Sequence, residues 1–330
     1  MRRPPTGALV FLIAFGWVHA GTAQSDPLPS WKDGQAKQRI ETFVTETVQK
    51  DGSHFVPPQE RIATFDNDGT LWVEAPMYTQ LMFAFDRVRQ TASAHPAWTK
   101  QQPFKGVIEG DRKAVAQTGE KGAMEIMLAT STGMTGSEFQ DAVSTWMLTA
   151  RDPKFHQPYN DLVYQPMIEL LAYLRTNGFK TFIVSGGDVD FMRPWAEKAY
   201  GVPPEQVIGS AMKTQFEMKN GTPVLMRLPQ IEFLDDGPGK PAAIERIIGR
   251  RPILAVGNSD GDLQMLEWTA ASATPHLAVL IHHTDDVREY AYDRQSPVGK
   301  LDLAMDEATN KGWLVVSMKD DWQRIFAFQP

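Results

Sequence analysis

The chain has 330 residues, and its content of 42% hydrophobic and 22% charged residues is ordinary for a globular protein. This length accommodates one large domain, or a core domain with a smaller one. The formal net charge of −7 and the lack of any Lys/Arg run argue against a nucleic-acid-binding surface. The absence of cysteine excludes disulfides, thiolate metal sites and cysteine nucleophiles.

The N-terminus has the pattern of a secretory signal. Arg2-Arg3 precedes an apolar run of about eleven residues, and small residues follow it up to Ala23. Such a run is too short to span a bilayer. We therefore expect a signal peptide over residues 1–23 and a secreted or periplasmic mature protein without a membrane span.

The next segments predict an N-terminal arm, a first strand and a block of helices. Residues 24–57 begin as a polar, proline-containing arm and continue into a helix with apolar residues at helical spacing. Residues 58–76 contain an apolar strand and form the first segment of a core domain. From Met77 the apolar period becomes helical, so we interpret residues 77–158 as an inserted helical cap. Inside it, the sequence TGSEF has the spacing of a capping box that opens a helix.

Residues 159–330 alternate between helices and strands and are predicted to form the second core segment. A helix ending near Gly178 is followed by an apolar strand, and a hairpin is predicted to turn at Asn220-Gly221. Two further apolar strands follow, at 252–257 and 276–283, with a helix between them. This alternation predicts an α/β fold: a Rossmann-like, mostly parallel sheet covered by helices, with the helical cap inserted into it.

Polar residues follow three of the predicted strands, and a lysine precedes a predicted helix. In parallel α/β sheets, ligands bind at the carboxyl ends of the strands. Taken singly, such segments are most simply a turn, a flexible loop or a solvated lysine, but together they indicate one site. They are Asp66-Asn67-Asp68-Gly69-Thr70, Ser185-Gly186-Gly187, the loop before Lys240, and the sequence GNSDGD at 257–262.

These residue types suit phosphoryl transfer. Phosphate monoesters hydrolyse slowly, and an aspartate that attacks phosphorus divides the reaction into two easier steps. Because the nucleophile and the phosphate are both anionic, the site needs positive charge, which Mg²⁺ held by a few carboxylates can supply. Lys240 would neutralise the nucleophile and the developing charge. The Ser185 hydroxyl and the amides after it, beginning with Gly186, would hold phosphate oxygens.

With these four segments in this order, the sequence resembles the haloacid dehalogenase superfamily, and within it the phosphoserine-phosphatase-like branch. The first motif of that family is a strand ending in Asp-x-Asp-x-Thr, which residues 66–70 match. The second is a strand-end Ser or Thr, here Ser185, and the third is a lysine at a helix start, here Lys240. The fourth, an acidic loop after an apolar strand, is matched by ILAVGNSDGDLQML. The resemblance covers roughly residues 58–285.

The resemblance implies a role for each matched residue. Asp66 would be the nucleophile that forms a phospho-aspartate, and Asp68 would protonate the leaving group and then deprotonate the hydrolytic water. Mg²⁺ would be bound by the Asp66 carboxylate, the Asp68 backbone carbonyl and the fourth motif. Thr70 and Ser185 would touch the phosphoryl group or support its loop. The presence of Asp68 favours a phosphatase, because true dehalogenases lack this second acid.

Two positions depart from the family pattern. The fourth motif usually begins Gly-Asp, whereas Asn258 follows Gly257, so the expected ligand is Asn258 with Asp262 or Asp260 contributing charge. Phosphoserine-specific enzymes carry a glutamate nine residues after the nucleophile, and here Glu74 is one position short of it, which argues against phosphoserine itself. Glu74, Trp72 and Tyr78 are candidates for substrate specificity.

The sequence therefore predicts a Mg²⁺-dependent phosphomonoester hydrolase acting on a small phosphorylated metabolite, with no partner protein evident. One alternative keeps the scaffold but passes the phosphoryl group to another hydroxyl, as a phosphotransferase or mutase. A second is a non-catalytic extracytoplasmic binding protein with a weakened metal site. Asn258 favours this second alternative, whereas the intact Asp66, Asp68, Ser185 and Lys240 argue against it.

Overall fold

A computed structural model describes Met1 and residues 26–329, so the predicted signal segment lies, after Met1, outside the described residues. The sheet has eight strands: β1 Ile62–Phe65, β2 Lys180–Asp188, β3 Val207–Lys219, β4 Thr222–Phe233, β5 Leu254–Gly257, β6 Leu277–Thr284, β7 Ala291–Tyr292 and β8 Leu314–Ser317. Their order is β4-β3-β2-β1-β5-β6-β7, and β8 pairs with β6.

The centre of this sheet is parallel, as predicted. β1 pairs in parallel with β2 on one side and with β5 on the other, and β5 pairs in parallel with β6. Every residue of β1 and β5 is buried, which explains why these strands are apolar runs without polar alternation. The α/β fold class is confirmed, and the carboxyl ends of β1, β2 and β5 lie side by side at one edge.

The helices are α1 Gln35–Val48, α2 Thr79–Thr91, α3 Phe104–Glu109, α4 Arg112–Ala116, α5 Gly119–Ser131, α6 Gly136–Thr149, α7 Gln165–Thr176, α8 Val189–Tyr200, α9 Gly239–Ile247, α10 Leu263–Ala270, α11 Leu303–Lys311 and α12 Met318–Asp321. In the part of the chain that is described, none of them is long and apolar enough to cross a membrane.

Helices α2 to α6 form the insertion between β1 and β2. Most of them share an apolar cluster of their own that includes Phe85, Trp98 and Ile126. The last one, α6, begins with the predicted capping box, in which Thr135 and Glu138 bond each other's backbone amides. Its apolar residues join the main core instead and pack near α8. The insertion is therefore anchored through α6, and the division of the chain into core and cap remains a prediction.

The long hairpin β3–β4 turns at Asn220-Gly221, as predicted. Both residues have positive φ angles, 53° and 79°, which a two-residue turn of this kind requires. Its first strand, β3, is continuous over residues 207–219 and belongs to two parts of the sheet. It pairs in parallel with β2 as far as Ser210 and then antiparallel with β4.

The N-terminal arm, within the described residues, packs on the C-terminal segment. Leu28 and Trp31 are buried, and the Trp31 ring meets Trp322 edge-on with a centroid distance of 5.9 Å. The Lys32 amide donates to the Asp321 carbonyl at 2.8 Å.

The sequence predicted no strand after residue 284. In the structure, β8 lies in this region and extends the parallel sheet beside β6.

Candidate active site

The loop after β1 brings two aspartates to the edge of the sheet. The Asp66 amide donates to the Val256 carbonyl at 2.9 Å, so Asp66 continues the strand pairing before the chain turns. Gly69 has φ +77° and lies against its neighbours so closely that a Cβ there would be 2.2 Å from Nδ2 of Asn258. Only glycine fits this turn without strain. The first motif is thereby folded directly against the fourth.

Lys240 joins three strand ends. It lies in the first turn of α9, and its Nζ donates to Oδ1 of Asp66 at 2.6 Å and to Oδ1 of Asp262 at 2.6 Å. A third bond, of 2.9 Å, reaches the Val184 carbonyl on β2. Burial alone would lower the pKa of Lys240, but the carboxylates of Asp262 and Asp66 outweigh it and raise the pKa above its usual value. The lysine is therefore a fixed positive charge.

Both aspartates of the first motif have raised pKa values. Burial raises the pKa of Asp66 well above its usual range, and the nearby charge of Asp262 adds to the effect although Lys240 opposes it. Burial also raises the pKa of Asp68 to about 6, while the Trp72 indole, which donates to Asp68 Oδ1 at 2.8 Å, acts to lower it. Asp68 is thus a group that exchanges a proton near neutral pH, as a general acid and base must.

The fourth-motif loop uses its three candidate residues differently. Asp262 Oδ2 accepts from the amides of Asn258 and Ser259 at 2.9 and 3.0 Å, so both of its oxygens are engaged within the protein. Asp260 Oδ1 accepts from the amides of Asp302 and Ala304 and thereby fixes the start of α11. Asp260 therefore faces α11, whereas Asp262 orients Lys240.

The remaining fourth-motif candidate, Asn258, lies across the first motif. Its Oδ1 accepts from the Thr70 hydroxyl at 3.0 Å, and its Nδ2 donates to Glu74 Oε1 at 2.7 Å. Thr70 is fully buried and bonded to Asn258, so of the two roles expected for it, loop support fits this geometry.

The end of β2 forms a bulge opposite Asp68. The pairing of β2 with β3 shifts register between Ser185 and Asp188, which releases Gly186 and Gly187 from the regular ladder. The Ser185 hydroxyl accepts from the Gly187 amide at 3.1 Å. A Cβ on Gly187 would lie 3.6 Å from Asp68 Oδ2, so this small-residue loop faces the second acid. Asp188 then caps the start of α8 by accepting from the Asp190 amide at 2.9 Å.

The donors at this edge suit a hard divalent cation. Asp66 Oδ2 has no hydrogen-bond partner among the described residues, and the four carboxyl groups of Asp66, Asp68, Glu74 and Asp262 share the site with one lysine. This excess of buried carboxyl groups over cations and the all-oxygen donor set match Mg²⁺. Side chains alone do not form a preassembled cluster: no three His, Cys, Asp or Glu residues in the described ranges could hold a metal together.

Several residues of the site belong to none of the four motifs, which therefore did not predict them. Tyr200 donates to Asn67 Oδ1 at 3.0 Å, and His283 contacts the Gly69 carbonyl through Nε2 at 2.8 Å. Asp235 is fully buried, and burial raises its pKa to about 7 although the charge of Lys240 acts to lower it. A polar residue directly before the Lys240 loop was the available signal for Asp235. The others come from distant helices and strands.

Two cavities lie at opposite ends of the sheet, and only the smaller one is at the edge that carries the aspartates. A cavity of about 60 Å³ lies beside Gly186 and Asp188 and has largely apolar walls from α5 and the hairpin, including Met124, Met127 and Met212. A much larger concavity, about 820 Å³, lies between α1 and the amino end of β6. The larger one is at the opposite end of the sheet from the aspartates, so size alone does not locate the site.

Comparisons with known proteins agree with this architecture. The family model described as haloacid dehalogenase-like hydrolase matches residues 63–267. No curated protein matches the sequence.

Solved structures resemble the fold at low sequence identity. A conserved protein of unknown function from Anaerococcus prevotii is 16% identical, with a TM-score of 0.52 over 76% of this chain and 86% of that one. A protein of unknown function from Bordetella pertussis is also 16% identical, with a TM-score of 0.50 over 78% and 98%. A phosphoserine phosphohydrolase-like protein from Francisella tularensis reaches 0.41 at 16% identity, over 78% and 94%. At such identities, the likeness concerns the fold.

Proposed function

Because the chain belongs to the haloacid dehalogenase-like hydrolase family, we propose that it is a Mg²⁺-dependent phosphomonoester hydrolase acting on a small phosphorylated metabolite. The observation that carries this proposal is the placement of Lys240 between Asp66 and Asp262, with Asp68 two residues further along the same loop. A lysine held in this way supports an ionised Asp66 as nucleophile and a separate, titrating acid beside it.

In the first step, Asp66 would attack phosphorus. A bond forms between its free carboxylate oxygen and phosphorus while the bond from phosphorus to the leaving oxygen breaks, and Asp68 donates its proton to that oxygen. The amides of the bulge after Ser185 would bind the non-bridging phosphate oxygens, and Lys240 would stabilise the negative charge on Asp66. The product of this step is a phospho-aspartate and a free alcohol.

In the second step, water would attack the phospho-aspartate. Asp68, now ionised, accepts a proton from the water, and the bond from phosphorus to the Asp66 oxygen breaks to release inorganic phosphate. Asp66, the Asp68 carbonyl and Asn258 would hold Mg²⁺, which would supply positive charge that offsets the phosphate and the buried carboxyl groups. Asp262 is a further candidate ligand, although both of its oxygens already bond within the protein.

Phosphate release tests the proposal directly. Purified protein should hydrolyse para-nitrophenyl phosphate and members of a phosphorylated-metabolite panel with Mg²⁺, and EDTA should abolish the activity. Asp66→Asn should remove it, whereas Asp286→Asn, at an exposed aspartate, should not. Intact-protein mass spectrometry after acid quench should show a phosphoryl adduct that Asp66→Asn lacks. No metal-dependent phosphate release across the panel would rule the proposal out.

The same assay separates the two alternatives. If an added alcohol captures most of the phosphoryl group, the protein is a phosphotransferase. If it binds phosphorylated ligands equally well after chelation and in Asp66→Asn, without turnover, it is a binding protein.

We propose in addition that the chain is exported, because Arg2-Arg3 and the apolar run after it have the pattern of a secretory signal. N-terminal sequencing of the protein from the secreted or periplasmic fraction tests this.

A further inference from the structure

Glu74 is a carboxyl group at the base of the site that belongs to none of the four motifs. Its side chain is buried, with 2% of the residue exposed. Oε1 accepts from Asn258 Nδ2 at 2.7 Å and from the Tyr292 hydroxyl at 2.8 Å. Two glycines make room for it, because a Cβ would lie 2.3 Å from Oε1 at Gly69 and 1.9 Å at Gly299. We call this arrangement of Asn258, Tyr292, Gly69 and Gly299 around the carboxylate the Glu74 seat.

This seat fixes the orientation of the Asn258 amide. Oε1 accepts two hydrogen bonds, so the amide presents its NH₂ group to Glu74. The amide oxygen must then point the other way, where it accepts from the Thr70 hydroxyl at 3.0 Å. An oxygen is the atom that Mg²⁺ would bind, and Glu74 keeps that oxygen on the first-motif side.

Glu74 and Asn258 also complement each other in charge. The usual aspartate at position 258 would put a second carboxylate within about 3 Å of Glu74, which like charges disfavour. With asparagine at that position, the pair still contains one carboxylate and one hydrogen bond. The buried Glu74 therefore explains why an asparagine fits at position 258 better than the usual aspartate.

We propose that Glu74 is a positioning residue that acts through Asn258: it aims the amide oxygen at the divalent cation and places beside that amide the carboxyl group that position 258 lacks. The inference rests on the proposed function, because it assumes that a cation binds there. Tyr292 stacks on His283 with ring centroids 4.2 Å apart, and His283 contacts the Gly69 carbonyl. The C-terminal strands β6 and β7 thus hold the Glu74 seat in place.

Mg²⁺ affinity of the full-length, metal-free protein, measured by isothermal titration calorimetry, tests the inference. Glu74→Gln should weaken binding by about ten-fold or more, the usual effect of losing a residue that orients a metal ligand. Asn258→Asp alone should not tighten binding and should lower the melting temperature. The double variant Glu74→Gln/Asn258→Asp exchanges the two groups and should restore affinity to within a few-fold of the wild type. Glu205→Gln, at an exposed glutamate, is the matched control.

The outcomes separate this inference from the proposed function. If the wild type binds Mg²⁺ and Glu74→Gln binds it within two-fold as tightly, the role of Glu74 is refuted while the hydrolase proposal stands. The inference is also refuted if the double variant binds Mg²⁺ no more tightly than the combined losses of affinity in the two single variants predict. If the wild type neither binds Mg²⁺ nor releases phosphate, the proposed function itself fails. Should Glu74→Gln not fold, Tyr292→Phe keeps the ring and removes one bond to Glu74, and unchanged Mg²⁺ affinity in that variant refutes the inference.

Discussion

Lys240 and Arg227 are both buried cations that each bond two acidic side chains, but the two clusters differ in the charge that they leave uncompensated. Arg227, on β4, pairs with Asp188 and Asp190 at the start of α8. Its Nε donates to the Ser131 carbonyl at 3.0 Å, and its guanidinium lies 4.2 Å above the Phe139 ring. This cluster joins the hairpin, the inserted helices and α8, and both of its acids bond the arginine directly, although burial still raises the pKa of Asp188.

The Lys240 cluster contains a larger excess of acids over cations. Beyond its two bonded partners, Asp68 and Glu74 lie in the same site, and the pKa values of Asp66, Asp68 and Glu74 are all raised, mainly by burial. Buried carboxyl groups with too few cations cost stability, which a fold tolerates where function requires it. We therefore expect the Arg227 cluster to secure the tertiary structure and the Lys240 cluster to accept the proposed metal and an anionic substrate.

Replacing the lysine should affect activity most. Lys240→Met keeps the volume of the side chain but removes the charge that opposes the raised pKa of Asp66 and stabilises its ionised form, so kcat should fall by about a thousand-fold or more. Steady-state phosphate release, with circular dichroism to verify folding, measures this. Lys198→Met, at an exposed lysine on α8, should behave like the wild type. A Lys240→Met enzyme with more than a tenth of wild-type activity would contradict the role given to this residue.

Replacing the arginine should affect stability instead. Arg227→Met leaves two acids without their cationic partner, so the free energy of unfolding should drop by about 3–5 kcal/mol in urea denaturation. Adding Asp188→Asn and Asp190→Asn should recover much of that loss, because asparagine still caps α8 and no buried charge remains. Arg112→Met, at an exposed position, is the control. An unchanged unfolding free energy in Arg227→Met would show that this cluster does not secure the fold.

The smallest expected effect concerns the proton on Asp68. Its pKa is raised to about 6, so the acid form is lost as pH rises through that value, and kcat/KM for an alkyl phosphate should decline above about pH 6. Trp72→Phe removes the donor to the ionised form, which should raise this pKa and move the decline about one unit upward. Trp98→Phe, within the separate cluster of inserted helices, should leave the profile unchanged. An unshifted profile in Trp72→Phe would mean that another group controls the decline.

Local sequence patterns predicted much of the fold because each pattern has a local physical cause. The buried strand before Asp66, the hairpin turn at Asn220-Gly221 and the capping box at Thr135 depend on residues a few positions apart. The C-terminal strand β8 was not predicted, since a four-residue apolar run alone does not reveal its partner strand.

The sequence by itself determined the fold class and the four segments that meet at the carboxyl edge of the sheet, because parallel strands bring their ends together whatever lies between them. Only the tertiary structure decided which side chains share each charge. It placed Glu74 on Asn258, Asp262 on Lys240 and Asp260 at α11. Side chains almost two hundred positions apart influence each other's charge only when packing brings them together and excludes water from between them. No local sequence pattern contains that information.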